Sequence, residues 1–170
     1  AALWMTSTLE RRADAFVDDV AQSLSFDGLE FSQDGKWLSS ANRIYYVDTM
    51  NPDQPQIKPA QTLSVEDHQF GRSDVAIHDN RWLTIASERP GELMLWDIAV
   101  NPGRYCKSIS FDAPGAVSRL SWSSDGRRLV ASNWDGAVRI WDIDWKNPDE
   151  PEFTLRDHQV SGGISVLSPQ

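Results

Sequence analysis

The stretch Leu120-Ser-Trp-Ser-Ser-Asp-Gly-Arg-Arg-Leu-Val-Ala-Ser-Asn-Trp-Asp-Gly-Ala-Val-Arg-Ile-Trp-Asp142 decides how the rest of the chain is read. It divides into three short strands separated by two tight turns. Asp125-Gly126 and Asp135-Gly136 supply the turns, because glycine enters the positive-φ region that such turns demand. Arg128–Asn133 lies between them, and Ala137–Trp141 alternates polar Arg139 with apolar Val138 and Ile140. The unit closes on Trp141-Asp142.

Moving outward, the same unit recurs twice. Phe31-Ser-Gln-Asp-Gly-Lys-Trp-Leu opens one copy and Ile77-His-Asp-Asn-Arg-Trp-Leu opens another. The first-turn aspartates Asp34, Asp79 and Asp125 are spaced 45 and 46 residues apart. Trp96-Asp97 precedes Trp141-Asp142 by 45 residues, and Val47-Asp48 holds that place in the first copy. Asp67-His68 and Asp157-His158 are 90 residues apart, two periods. Independent markers that share one period indicate internal repetition. Each copy is too small to fold alone, so its apolar residues must be covered by a neighbouring copy. Leu29, Phe31, Leu38, Leu83, Leu95, Leu120, Leu129, Val138 and Ile140 are the expected core.

Three connectors also match: Thr49–Pro55, Ala99–Gly103 and Asp144–Pro151 each contain Asn-Pro. Proline cannot donate to a strand ladder, so each marks a loop before a fourth strand. Those strands are expected at Gln61–Val65, Lys107–Phe111 and Glu152–Arg156. The first 26 residues allow two readings. Trp4 lies 43 residues before Val47, which places a third strand at Ala1–Met5 and a fourth at Ala15–Asp18. Alternatively, Ser7-Thr-Leu-Glu10 caps a helix with Leu9, Ala13, Phe16 and Val20 on one face. Continuity of the register favours strands.

This pattern resembles the WD40 repeat, with its period near 45, its Asp-Gly turn and its closing Trp-Asp. The resemblance covers residues 27–170 and implies an all-β protein: a β-propeller of four-stranded antiparallel WD40 blades. Three complete repeats are expected over residues 27–72, 73–115 and 116–161. Partial blades flank them: the end of a preceding blade over 1–26 and the first strand of a following repeat over 162–170. A propeller closes its ring with 4–8 blades, so the chain reads as a portion of a longer propeller. The alternative is a near-four-bladed ring closed by Ile164–Leu167 against the N-terminal strands. The long Asn-Pro connectors are similar to those of bacterial WD40 proteins, where such propellers serve as the sensing or docking half of larger signalling ATPases, kinases or protease-like effectors.

The resemblance further implies a network in which aspartate, histidine, serine and tryptophan tie an inter-blade loop to the Trp-Asp strand. Residue by residue, it involves Trp96, Asp97, Trp141, Asp142, Asp135, His68 and His158, and no copy holds it complete. His68 is matched to Trp96, but Glu88–Gly91 offers no turn aspartate; the third copy has Ala113-Pro-Gly115 where Asp-His is usual.

Composition narrows the function. The 170 residues carry a net charge of −9, which disfavours nonspecific binding to nucleic acid and docking on anionic membrane. A partner with a neutral or basic patch is expected. The single Cys106 rules out an internal disulfide and fits a cytoplasmic location. With three histidines and one cysteine, no metal set is apparent, and no phosphate loop or nucleophile elbow points to a cofactor or a catalytic residue. The expectation is a non-catalytic interaction scaffold or sensor module. Trp134 and Arg89 lie in second-to-third strand loops and are the leading partner-binding candidates, followed by Tyr45 and Trp145. Two other readings remain: a propeller enzyme with channel-lining carboxylates, and a structural segment that self-assembles. The partners expected are an unidentified protein and, at the open strand edges, further blades or other copies of the chain.

Overall fold

A computed structural model describes residues 2–5, 10–14, 28–51, 56–66, 74–147 and 149–156. Among them there are fourteen strands and no helix. Strands β1 (Ala2–Met5) and β2 (Glu10–Asp14) form an antiparallel pair. The first four-stranded sheet follows the chain as β3 (Leu29–Phe31), β4 (Trp37–Ser40), β5 (Arg43–Asp48) and β6 (Gln56–Thr62). The second contains β7 (Val75–His78), β8 (Trp82–Ala86), β9 (Glu92–Asp97) and β10 (Arg104–Ser110). The third contains β11 (Val117–Trp122), β12 (Arg128–Asn133), β13 (Val138–Asp144) and β14 (Glu152–Arg156). Each is an antiparallel meander, and the first strands β3, β7 and β11 neighbour one another in turn. No helix of the described residues is long and apolar enough to cross a membrane.

Period-2 alternation explains how the sheets stack. Along β8 and β9, Trp82, Ala86, Leu93 and Leu95 face the third sheet, where they meet Leu120, Leu129, Trp141 and Ile143. The intervening Leu83, Ile85, Met94 and Trp96 face the first sheet and meet Ile44 and Leu63. The second sheet is therefore apolar on both faces, as a central layer must be. Each fully buried Leu or Ile contributes roughly 1.5–3 kcal/mol of transfer free energy, so two such interfaces hold the sheets without any cross-link.

The N-terminal pair joins Ala2–Met5 to Glu10–Asp14, and the strand expected at Ala15–Asp18 lies outside the described residues. The fourth strand of the first sheet starts at Gln56, earlier than the Gln61 expected. Pairing of Val47 with Ile57 and Tyr46 with Lys58 sets that start, and Pro59 is tolerated because β6 is an edge strand. Leu29 and Phe31 are not core residues, being 45% and 47% exposed. Their counterpart Val75 is covered by the first sheet and Leu120 by the second. Leu29 and Phe31 face the side on which no further four-stranded sheet of described residues packs. Ile140, on the outer face of the third sheet, is only half-buried for the same reason.

The first turns are not all alike. Asp34 and Asp125 each accept a backbone N–H two residues on, from Lys36 and Arg127, and a hydroxyl from Ser32 or Ser123. Asp79 takes no such part. The second copy is one residue shorter between its paired Ile77 and Leu83 than the third is between the equivalent Trp122 and Leu129. Asp79 and Asn80 both sit at positive φ and close a tighter turn, with Arg81 N–H donating to His78 O. Asn80 then spans the sheet boundary, its Oδ1 accepting the Asp34 N–H at 2.8 Å.

Candidate functional site

The second-to-third strand loops lie at one end of the sheets, and the loop over 133–137 is the most constrained of them. Asn133 N–H donates to Ala137 O, and Gly136 N–H donates back to Asn133 O. Trp134 N–H donates to Ala116 O at 3.1 Å, and Asn133 Nδ2 donates to Gly115 O at 2.8 Å. Both acceptors belong to the connector between the second and third sheets. Arg139 locks the pair of loops: Nη1 donates to Asn133 Oδ1 and Nη2 to Asp112 O at 2.6 Å, while its guanidinium lies 5.2 Å from the Phe111 ring centroid. The Trp134 backbone is thus held while its side chain is 80% exposed.

Asp135 has a local task. Its Oδ1 accepts the Ala137 N–H at 2.9 Å, the bond that shapes the turn. On the adjacent blade, Arg89 is also exposed, and its N–H donates to Ser87 Oγ. That loop is anchored by Phe111 N–H donating to Gly91 O. Gly91 has a φ of +73°, and a Cβ there would overlap Phe111 O.

Tyr45 and Trp145 do not belong to this surface. Tyr45 is 5% exposed and packs with Leu38, Val47 and Ile57 on the face of the first sheet turned away from the second. Its neighbour Tyr46, on the opposite face, is half-buried edge-on against Trp37. The alternation of β5 assigns these faces and makes Tyr45 a core residue instead of the partner contact expected. Trp145 is half-buried at the other end of the sheets, Nε1 donating to Gly126 O at 2.8 Å. It joins Trp82, Trp122 and His78 in an aromatic cluster between the second and third sheets. Burial there lowers the His78 pKa below its ordinary 6.5, against the opposing influence of the Asp79 and Asp125 carboxylates.

The Trp-Asp pairs divide their labour. Trp96 and Trp141 are buried, each toward the preceding sheet. Among the described residues no acceptor meets Trp96 Nε1, and His68 and His158 lie outside those residues. Asp97 is 1% exposed and accepts from Arg81 at 2.8 Å and from Ala99 N–H at 3.1 Å. Asp142, more open, faces Arg128 and Arg156.

A second feature carries no mark in the sequence. Asp74, just before β7, is buried, and its Oδ2 accepts the Leu120 N–H of the neighbouring sheet at 2.5 Å. Arg119 lies 3.3 Å from its Oδ1, yet desolvation pushes the Asp74 carboxyl above the usual range. It borders a cleft of about 390 Å³ between the first strands, lined also by Glu30, Leu29, Arg119 and Trp122. Glu30 is likewise raised, by desolvation and then by the nearby Asp74 charge. No turn or motif marks Asp74; only its place before an apolar strand could have drawn notice. Among the described residues no three His, Cys, Asp or Glu converge as a metal site would require.

Stacked four-stranded meanders whose first strands neighbour one another are successive blades of a β-propeller. Residues 105–142 match the WD domain, G-beta repeat (WD40) family, a span from β10 to Trp141-Asp142. That repeat, and the chain's period of about 45 residues, are similar to those of the WD40-repeat family. It is 26% identical over 144 residues to the target of rapamycin complex subunit wat1 of Schizosaccharomyces pombe, covering 83% of this chain and 44% of that protein. Among solved structures, a chain of the mitotic checkpoint complex superposes with a TM-score of 0.58 at 18% identity, over 91% of this chain and 43% of that one. A periplasmic gluconolactonase of Pseudomonas aeruginosa gives the same TM-score at 16% identity, over 80% of this chain and 42% of its own. At those identities the two structures show the fold alone. The chain spans less than half the length of each of these proteins.

Proposed function

We propose that the chain is a non-catalytic protein-interaction module that docks its partner on the face carrying Trp134 and Arg89, in the cytoplasm. The observation that carries this reading is a tryptophan 80% exposed on a loop whose backbone is already fixed. Burying such a side chain on a partner costs little ordering entropy, and Trp and Arg are the residues that most often concentrate interface energy. The wat1 relative is described as a subunit of a complex, which agrees with a docking role. Capture of the native partner by the protein and by its W134A/R89A variant tests the face: a loss of about tenfold or more is expected, and equal capture rejects it.

A second reading, a propeller enzyme, draws on the raised Glu30 and Asp74 carboxyls in the cleft and on the propeller fold of the gluconolactonase. Against it, Asp74 is already engaged by Leu120 N–H and Arg119. Gluconolactone turnover that disappears in E30Q would favour the enzyme; absence of turnover is expected.

A further inference from the structure

The first strands of the three sheets are not joined alike. Phe31, Ile77 and Trp122 pair with Leu38, Leu83 and Leu129, so Gly28, Asp74 and Arg119 occupy one repeat position. From that position Asp74 bridges β7 to β11 through the Leu120 N–H. Gly28 has no side chain with which to bridge β3 to β7, and it lines the cleft of about 390 Å³ that stays open there. That volume is of the size that holds small molecules. The walls divide chemically. Leu29, 45% exposed, and Ile77 are aliphatic. Asp74 is already engaged by the Leu120 N–H and by Arg119 Nη1 at 3.3 Å. Glu30 is open to solvent and accepts no hydrogen bond from a described residue. Among the described residues the charge that acts on it is that of Asp74; Arg119, turned to Asp74, gives it no counterion. The walls also strip water from the Glu30 carboxyl, so that desolvation and then the Asp74 charge push it above its ordinary range.

We infer that this cleft holds an aliphatic ammonium ion, its nitrogen on the Glu30 carboxylate and its alkyl chain along Leu29 and Ile77. Glu30 and Asp74 against the single guanidinium of Arg119 leave the lining one negative charge, which a monocation neutralises. An ammonium donates a charge-assisted hydrogen bond to the one carboxylate that lacks a donor. The neighbouring Asp74 charge, which disfavours an ionised Glu30 standing alone, favours the cation as well. An alcohol of the same length keeps the apolar contact and leaves the carboxylate uncompensated, and an acid adds a third negative charge. The cleft shares no lining residue with the Trp134 loops, so this inference does not depend on which partner docks there, and holding an ammonium requires no turnover.

The test is a titration of the protein with n-hexylamine at about pH 7 and about 0.15 M salt, which screens the long-range pull of the net charge of −9. The backbone amides of Glu30 and Ile77 are followed in ¹H–¹⁵N spectra, and saturable shifts in the millimolar range are expected. Affinity should fall about tenfold in E30Q, which keeps the side-chain shape and removes a carboxylate that bonds no described residue. It should fall about threefold in L29A. E150Q, in the connector of the third sheet, should match the parent. n-Hexanol should bind about tenfold more weakly than the amine, and hexanoate should move neither amide. No saturation by about 20 mM, an equal loss in E30Q and E150Q, or hexanol or hexanoate binding as tightly as hexylamine overturns the inference. A blocked lysine, N-acetyl-lysine N-methylamide, then separates the two sources of an ammonium. Displacement of hexylamine assigns the cation to a lysine side chain of another protein, and failure to displace it assigns the cation to a free amine.

Discussion

Arg81 reaches two carboxylates at once, 2.8 Å from buried Asp97 in its own sheet and 2.7 Å from Asp149 in the connector of the next. Asp142, the counterpart of Asp97 in the third sheet, pairs with Arg128, and burial sets the two pairs apart. Removing the partner of a buried charge leaves it uncompensated, whereas an exposed pair is weakened by water and salt.

R81Q is therefore expected to cost about 3 kcal/mol in urea denaturation, and R128Q less than about 1 kcal/mol. Equal costs would show that Arg104, 3.7 Å from Asp97, replaces Arg81.

Two glycines share a backbone conformation but not a setting. Gly35 has a φ of +70° with nothing within 4 Å of where an added methyl would lie, and Gly126 has a φ of +66° with the His78 ring occupying that place. G35A should cost about 1–2 kcal/mol, the backbone penalty alone. G126A should cost more and alter tryptophan fluorescence, because His78 must leave its stack on Trp122. Identical thermal shifts for the two would refute the difference.

His78 also makes stability depend on pH. Its folded pKa lies below the ordinary 6.5, so the folded state favours the neutral ring. That contribution is complete above about pH 7 and is lost as pH falls through 6.5 toward the lowered value. Urea midpoints between about pH 7.5 and 5 should decline for the parent and decline less for H78Q; parallel curves would exclude His78 as the cause.

Tryptophans that look alike in sequence should separate in stability. W141A removes a side chain 1% exposed in the main core and should cost about 3–5 kcal/mol. W134A should change stability by less than about 0.5 kcal/mol. Thermal unfolding of both variants decides this.

Periodicity makes the blades legible because every repeat must solve the same packing problem, so Trp96 and Trp141 recur 45 residues apart and both face the preceding sheet. Exposure at Trp134 follows from its place in a turn. Tyr45 departs from expectation because adjacent residues of a strand point to opposite faces, and the alternation of β5 makes it a core residue. Asp74 is invisible in sequence for a different reason: its partner, Leu120 N–H, is a backbone group 46 residues away that carries no side-chain signature.

That last contact concerns more than the joint between two blades. Leu120 N–H points away from β12, along the open margin of an axial strand, where an unpaired amide would invite an incoming chain to add itself. Asp74 fills that vacancy with a carboxylate from next door. The propeller thereby discourages strand addition at its hub with one charged side chain, and D74A would leave a template for aggregation where the parent has none.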